Sequence, residues 1–374
     1  MSTPAPALPR AASIPSLDGV RALAVALVFF AHGGLQNIVP GGLGVTIFFV
    51  LSGYLITTLM RVEFAERGDL SFRAFYLRRA LRLMPPLLLV VAGTALLWSA
   101  GLVDGRFTPG GLLSVLFYGG NYFVIAQDFD GVPAGLGVTW SLAVEEHFYL
   151  VYPPLALWLL RGGSARRAGL VLGALCALIL GWRCVLAVQG GWDAHIGMAT
   201  DTRVDSILAG CLLALLRNPW LEPPTRERPR AEAALALLCL GLLAATLLYR
   251  NDFFRLTLRY SLQSLAVAPL LYLAVARSSR WPYRWLNAPA MVWLGTVSYT
   301  IYLSHQVLLY AVARQWPALG EAATMATALT ATLILAELMR RAVEQPCARL
   351  RKQLHRRMEW PATLNAPRLP TAAS

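Results

Sequence analysis

The chain has 374 residues, 57% of them apolar and only 14% charged, with a formal net charge of +13. A water-soluble chain of this length needs far more charged surface, so the composition excludes an ordinary soluble enzyme and points to a polytopic membrane protein. A nucleic-acid role is excluded as well, because no basic soluble domain exists to carry the positive charge.

Crossing about 30 Å of hydrocarbon takes about 20 mostly apolar residues. In chain order, runs of this kind lie at roughly 17–36, 41–60, 80–101, 138–160, 168–188, 201–217, 231–249, 257–276, 289–313 and 322–342. They predict an all-α fold with about ten transmembrane helices around a polar cavity. The division expected is an N-terminal tail over 1–16, a membrane domain over 17–345 and a basic C-terminal tail over 346–374. Residues 1–16 are Pro- and Ala-rich, and no small-residue cleavage site follows the first run, which therefore reads as a span and not as a removed signal peptide. The segment 102–137, containing "PGGLLSVLFYGGNYFVIAQDFDG", is long enough for a partial lid or a re-entrant element. Five scattered cysteines (Cys176, Cys184, Cys211, Cys239, Cys347) show no zinc or redox spacing, so no metal site and no permanently bound cofactor is expected.

Arginines set the orientation. Arg61, Arg67, Arg73, Arg78, Arg79 and Arg82 follow the second run, Arg161, Arg166 and Arg167 the fourth, Arg217, Arg226, Arg228 and Arg230 the sixth, and Arg277, Arg280 and Arg284 the eighth. With ten crossings all of these share one side with the basic tail, so both termini are expected to be cytoplasmic. Arg250, Arg255 and Arg259 are exceptions to the asymmetry.

Ionisable residues inside hydrocarbon are costly and usually face a cavity or each other. Arg21 and His32, eleven residues apart in "LDGVRALAVALVFFAHGG", fall about 20° from eclipsed on one helix face with a rise of roughly 16 Å. The fourth span, "TWSLAVEEHFYLVYP", places Glu145 and Glu146 roughly 10 Å below the outer interface, near the level of His32. In "LGTVSYTIYLSHQVLL", Ser298 and His305 share a face of the ninth span, and His305 reaches the same level. Two histidines and a carboxylate pair at one depth suit an acid/base centre; they equally suit an interhelical polar clamp. Asp201, Arg203 and Asp205 open the sixth span, either to bind a polar acceptor or to pair with one another. Arg78, Arg79 and Arg82, on one side of a helical turn before Pro85, suit a polyphosphate ligand or anionic lipid.

Seven segments, in order, resemble the acyltransferase-3 family of bacterial integral-membrane acyltransferases: "LDGVRALAVALVFFAHGG", "GGLGVTIFFVLSGYLIT", "FYLRRALRLMPP", "TWSLAVEEHFYLVYP", "TDTRVDSILAGCLLA", "LGTVSYTIYLSHQVLL" and "VEQP". The resemblance implies a ten-helix domain of the bacterial inner membrane that takes an acyl group, acetyl by default, from cytoplasmic acyl-CoA as co-substrate. It implies a hydroxyl acceptor on a glycan, a lipid-linked glycan or a macrolide-type metabolite, and a stand-alone form without the esterase-like domain some members append. Carried over by position, it assigns Arg21 to donor handling and His32 to catalysis, and places Arg78, Arg79, Arg82, Trp140, Glu145, Glu146, Arg203, Ser298, His305 and Glu344 at recurring motif positions. His147 departs from the family's glutamine after the two glutamates. On this reading the CoA phosphates stay near Arg21 and the loop arginines while the thioester reaches His32. There the imidazole acts as general base on the acceptor hydroxyl or carries the acyl group itself. Glu145 or Glu146 would orient it, and Ser298 or His305 would stabilise the oxyanion. Asp18, Trp140, Arg203, Asp205 and Glu344 are expected to touch the acceptor or hold the site together. The alternative is a proton-coupled transporter using the same buried residues.

Overall fold

The computed structural model describes residues 14–357. Residues 1–13 and 358–374, which make up most of the expected N-terminal tail and the end of the C-terminal one, lie outside the described residues. The regular elements are all helical: α1 (Leu17–Phe30), α2 (Gly41–Arg67), α3 (Phe72–Ser99), α4 (Pro109–Leu116), α5 (Gly120–Ala126), α6 (Trp140–Arg161), α7 (Ala165–Gln189), α8 (Asp193–Met198), α9 (Thr200–Arg203), α10 (Asp205–Leu216), α11 (Pro229–Leu248), α12 (Asp252–Leu256), α13 (Leu258–Ala276), α14 (Pro289–Thr296), α15 (Ser298–Gln315), α16 (Glu321–Met339) and α17 (Gln345–Arg357). Two π-helical turns extend this set, Ala31–Leu35 after α1 and Arg340–Glu344 between α16 and α17.

Local chemistry explains where several helices begin and end. Ser71 accepts a hydrogen bond from the Ala74 amide at 3.4 Å, Thr108 from Gly111 at 3.0 Å and Ser164 from Arg167 at 3.2 Å, each satisfying an amide that the first turn leaves free. Gly68, at φ +71°, closes α2 in the left-handed conformation that a glycine adopts without steric cost.

Seven helical units are long and apolar enough to cross a membrane: α1 with its π turn, α2, α3, α7, α11, α13 and the continuous α16–α17 unit. The remaining expected spans correspond to α6, α10 and the α14–α15 pair. α6 carries Glu145, Glu146 and His147 within its first turns, α10 has only 12 residues, and the run 289–313 is divided at Val297. The expected domain boundary after residue 345 falls inside one helical rod, because α16 runs through its π turn into α17.

The arginine-bearing loops meet at one end of the bundle. Arg61 at the end of α2 bonds Glu222 beyond α10 at 2.5 Å, Arg161 at the end of α6 bonds Asp69 at 3.2 Å, and Arg277 after α13 bonds Glu232 in α11 at 2.5 Å. At the opposite end Asn121 in α5 bonds Thr200 in α9 at 3.0 Å, and Arg314 in α15 pairs with Asp104 at 3.5 Å.

At the centre α2 packs on α1, α10 and α13. Its crossing with α10 depends on two glycines: a Cβ at Gly53 would stand 1.9 Å from the Ile207 carbonyl oxygen, and one at Gly210 would stand 2.0 Å from that of Val50. Small residues at such a crossing let the backbones approach closely. Gly210→Ala is therefore expected to destabilise the protein by about 1–3 kcal/mol through overpacking, read as a lower unfolding midpoint in detergent. Gly241→Ala, in α11 with nothing within 4 Å of the added carbon, should leave the midpoint near wild type.

Candidate functional site

The π turn after α1 carries His32, whose Nδ1 lies 2.8 Å from Nε2 of His305 in α15. The rings are nearly parallel, 8° apart, with centroids 5.1 Å from each other. His305 is fully buried, and its Nδ1 faces the carbonyl oxygens of Tyr302 at 2.8 Å and Ile301 at 3.1 Å. Carbonyls only accept, so Nδ1 of His305 carries the hydrogen. A neutral His305 then offers a bare Nε2, which accepts from His32 Nδ1–H. That chain leaves Nε2 of His32 with a free lone pair, on a residue that remains solvent-exposed.

His32 lines two of the cavities of the bundle, and Arg79 and Arg82 line two others. Toward the arginine-rich end, a cavity of about 830 Å³ is lined by Arg21, Ser52, Arg79, Arg82, Glu145, Glu146, Tyr149 and Ser298 among others. It adjoins a mouth of about 1030 Å³ that shares Arg79 and Arg82 and adds Arg67, Arg78 and Arg351. Arg351 belongs to α17, so the expected basic tail contributes to the mouth. Away from that end, His32 and Trp140 line both a cavity of about 1050 Å³ with Arg203, Arg259, Tyr260 and Gln263, and one of about 960 Å³ also lined by residues of the segment 129–137. The Arg21 cavity and the Arg203 cavity share two walls, Val45 and Tyr302. The Tyr302 hydroxyl is held 2.6 Å from Ser141 Oγ.

Arg21 and His32 lie on one helix but line different cavities. Neither carboxylate orients a histidine: Glu145 accepts from Ser52 at 3.0 Å and Tyr149 at 2.9 Å, those two hydroxyls also touching each other. One oxygen of Glu146 is buried with no partner beside the Arg21 cavity. His305 has both ring nitrogens engaged, by His32 and by the carbonyls of Ile301 and Tyr302, and Ser298 lines the cavity on the Glu145 side. Of the cations, Arg21 is bonded to Asp18 at 2.5 Å, Arg78 to Glu63 at 3.0 Å, and Arg79 lies 4.2 Å over the Tyr149 ring. Glu344, in the second π turn, accepts from Thr300 at 2.6 Å. His147 bonds Thr200 at 2.7 Å, away from the carboxylates beside it in sequence.

Arg203 and Asp205 do not pair with one another. Asp205 takes both its oxygens to Arg183, at 3.2 and 2.7 Å, and Asp201 bonds His195 at 2.9 Å. Arg183, fully buried in α7, went unnoticed in the sequence, although an ionisable residue within the fifth apolar run is the signal that singled out His32. Asp205→Asn leaves its guanidinium buried without a counter-charge and is expected to cost about 3–5 kcal/mol, whereas the apolar pair Arg183→Met with Asp205→Leu should recover much of that loss. Thermal unfolding of the three proteins in one detergent checks the ordering. Arg259 and Tyr302 were missed for a different reason: nothing in their local sequence says which cavity they line.

The all-helical fold, with seven helices long and apolar enough to cross a membrane and polar side chains gathered inside the bundle, defines a polytopic membrane protein. The chain belongs to the acyltransferase family described as "Acyltransferase domain", whose model matches residues 14–339. Among its relatives is the peptidoglycan O-acetyltransferase OatA of Listeria monocytogenes, 30% identical over 89% of this chain and 55% of that protein. YrhL of Bacillus subtilis, provisionally named a peptidoglycan O-acetyltransferase, is 31% identical over 94% of this chain and 58% of its own length. SACOL0978 of Staphylococcus aureus, provisionally named an O-acetyltransferase, is 30% identical over 93% and 59% respectively. The chain thus spans less than two thirds of each of these proteins. No solved structure matches it. The transporter alternative has no support in the family or in these relatives.

Proposed function

We propose that the protein is a membrane-bound O-acyltransferase of the bacterial inner membrane, with ten crossings around a polar cavity and both termini cytoplasmic. It moves an acyl group, acetyl by default, from acyl-CoA at the arginine-rich end to a hydroxyl of a carbohydrate or glycosylated acceptor at the other end. The observation that carries this reading is the His32–His305 pair, which leaves one lone pair on His32 beside the Arg203 cavity, with only Val45 and Tyr302 shared as walls between that cavity and the Arg21 cavity. The peptidoglycan target in the name of the Listeria relative supports a glycan acceptor.

The donor phosphates sit among Arg21, Arg79, Arg82 and Arg351, in two adjoining cavities lined by six arginines against the four carboxylates Glu63, Glu66, Glu145 and Glu146. The pantetheine arm runs along the Arg21 cavity, where the unpartnered Glu146 oxygen accepts one of its amide N–H groups, and Glu145 fixes Ser52 and Tyr149 as a polar wall. The thioester passes between Val45 and Tyr302 to His32. As the acceptor oxygen attacks the thioester carbon, its proton moves to Nε2 of His32, and the resulting imidazolium is held through Nδ1–H to His305. Collapse of the tetrahedral intermediate breaks the C–S bond, and the same proton leaves with the CoA thiolate. His305 acts through His32 and is a positioning residue.

The test is turnover of radiolabelled acetyl-CoA by the purified protein in nanodiscs, alongside Arg21→Ala. Label release or transfer, with a higher apparent donor constant for Arg21→Ala, is the expected result. No binding and no turnover across acetyl-, propionyl- and longer-chain CoA thioesters removes the acyltransferase reading.

A further inference from the structure

Three guanidinium groups surround the ring of Tyr260: Arg203 at 3.8 Å from its centroid, Arg259 at 5.0 Å and Arg183 at 5.6 Å. The carboxylate among them, Asp205, is occupied by Arg183 through both oxygens and also accepts from Ser261 at 2.8 Å. Arg203, only 2% exposed, donates to the Gly197 carbonyl at 2.9 Å, and its Nε has no partner. Arg259 donates to the Tyr260 hydroxyl at 3.2 Å, and its buried Nε is likewise unpartnered. Among the described residues neither guanidinium has a carboxylate oxygen within 4.0 Å.

Holding cations inside a bundle without counter-charge is strongly unfavourable unless something supplies the missing anion. Both arginines line the cavity of about 1050 Å³ that also exposes His32, and its lining contains no Asp or Glu. The planar, multiply donating guanidinium is suited to bidentate recognition of carboxylate or phosphate. We infer that this cavity binds an anionic group of the acceptor, a carboxylate or phosphate carried by the same molecule whose hydroxyl meets His32. The inference rests on the acyl-transfer reading and adds the substrate class: acidic sugars are preferred to neutral ones. Arg203 and Arg259 hold the anion, and Tyr260 keeps the two guanidinium groups in place through its ring and hydroxyl.

Binding is measured without donor, in phosphatidylcholine nanodiscs, using fluorescently labelled trigalacturonate and its methyl ester as probes. The wild type should bind the acid at least about tenfold more tightly than the ester, the loss expected when a charge-assisted bidentate pair is removed. Arg259→Gln and Arg203→Gln should bring the acid down to the affinity of the ester. Arg259 is the half-buried member, so its variant keeps the test informative if Arg203→Gln does not fold; monodisperse elution and the unfolding midpoint are checked for both. Replacing phosphatidylcholine with phosphatidylglycerol should leave the preference intact. Equal binding of acid and ester, a preference that survives Arg259→Gln, or its loss in phosphatidylglycerol, which would assign the arginines to a lipid headgroup, overturns the inference. Acetyl-CoA turnover by the wild type in the same discs is a separate readout. Turnover without acid preference removes the anion site alone, whereas acid preference without turnover retains the anion site and removes the transfer chemistry.

Discussion

Replacing His32 with alanine lowers acetyl-CoA turnover by about 10²–10⁴-fold, the contribution typical of a positioned general base. The carbonyls of Ile301 and Tyr302 fix the hydrogen on Nδ1 of His305, His305 Nε2 receives the hydrogen of His32 Nδ1, and Nε2 of His32 is the one imidazole nitrogen of the pair left free to take a proton. His305→Gln tests the second member. An amide has one donor and one acceptor group, so it can satisfy part of the chain without fixing the ring, and turnover should fall by less than in His32→Ala. The donor constant should stay near wild type in both, because the arginines proposed to hold the donor phosphates line the cavity on the other side of Val45 and Tyr302. Release of CoA thiol over a range of donor concentrations gives both parameters.

Val45→Trp is expected to reduce transfer by at least about 100-fold, the scale on which small misplacements of reacting groups cost activity. Val45 and Tyr302 are the residues shared by the Arg21 cavity and the Arg203 cavity, and Tyr302 is held by Ser141. Protein interiors are packed too tightly for an added indole to be absorbed without displacing a neighbour. On the proposed route the acyl arm passes this point to meet His32, so the variant blocks it at a residue that does not line the arginine mouth. Equilibrium binding of CoA, measured by calorimetry in detergent, should change little while transfer is lost. Wild-type transfer rates in Val45→Trp would place the route elsewhere.

The membrane class and most helices were legible because hydrophobic runs of sufficient length leave few alternatives in a bilayer. The same reasoning gave His32 and His305, since an ionisable residue in such a run is conspicuous. It could not say that they bond each other, because depth along a helix is readable from rise but azimuth between helices is not. Arg21 and His32 line different cavities because roughly 16 Å of helical rise separates them along the shared helix. The carboxylates were assigned to the histidines on depth alone, whereas the structure gives Glu145 to Ser52 and Tyr149, residues with no periodic signal. Sequence alone leaves Asp201, Arg203 and Asp205 either to bind a polar acceptor or to pair with one another. The Asp205 carboxylate instead belongs to Arg183, 22 residues earlier in the chain, because α7 packs beside α10.

The central claim is that donor and acceptor approach His32 from opposite ends of the bundle. It is tested most directly in sealed proteoliposomes, with radiolabelled acetyl-CoA added only outside and an impermeant oligosaccharide that accepts label in detergent placed either inside or outside. Labelling of the oligosaccharide trapped inside, and little labelling of the one supplied alongside the donor, is the predicted result. Labelling confined to the oligosaccharide on the donor's own side would contradict transfer across the bundle.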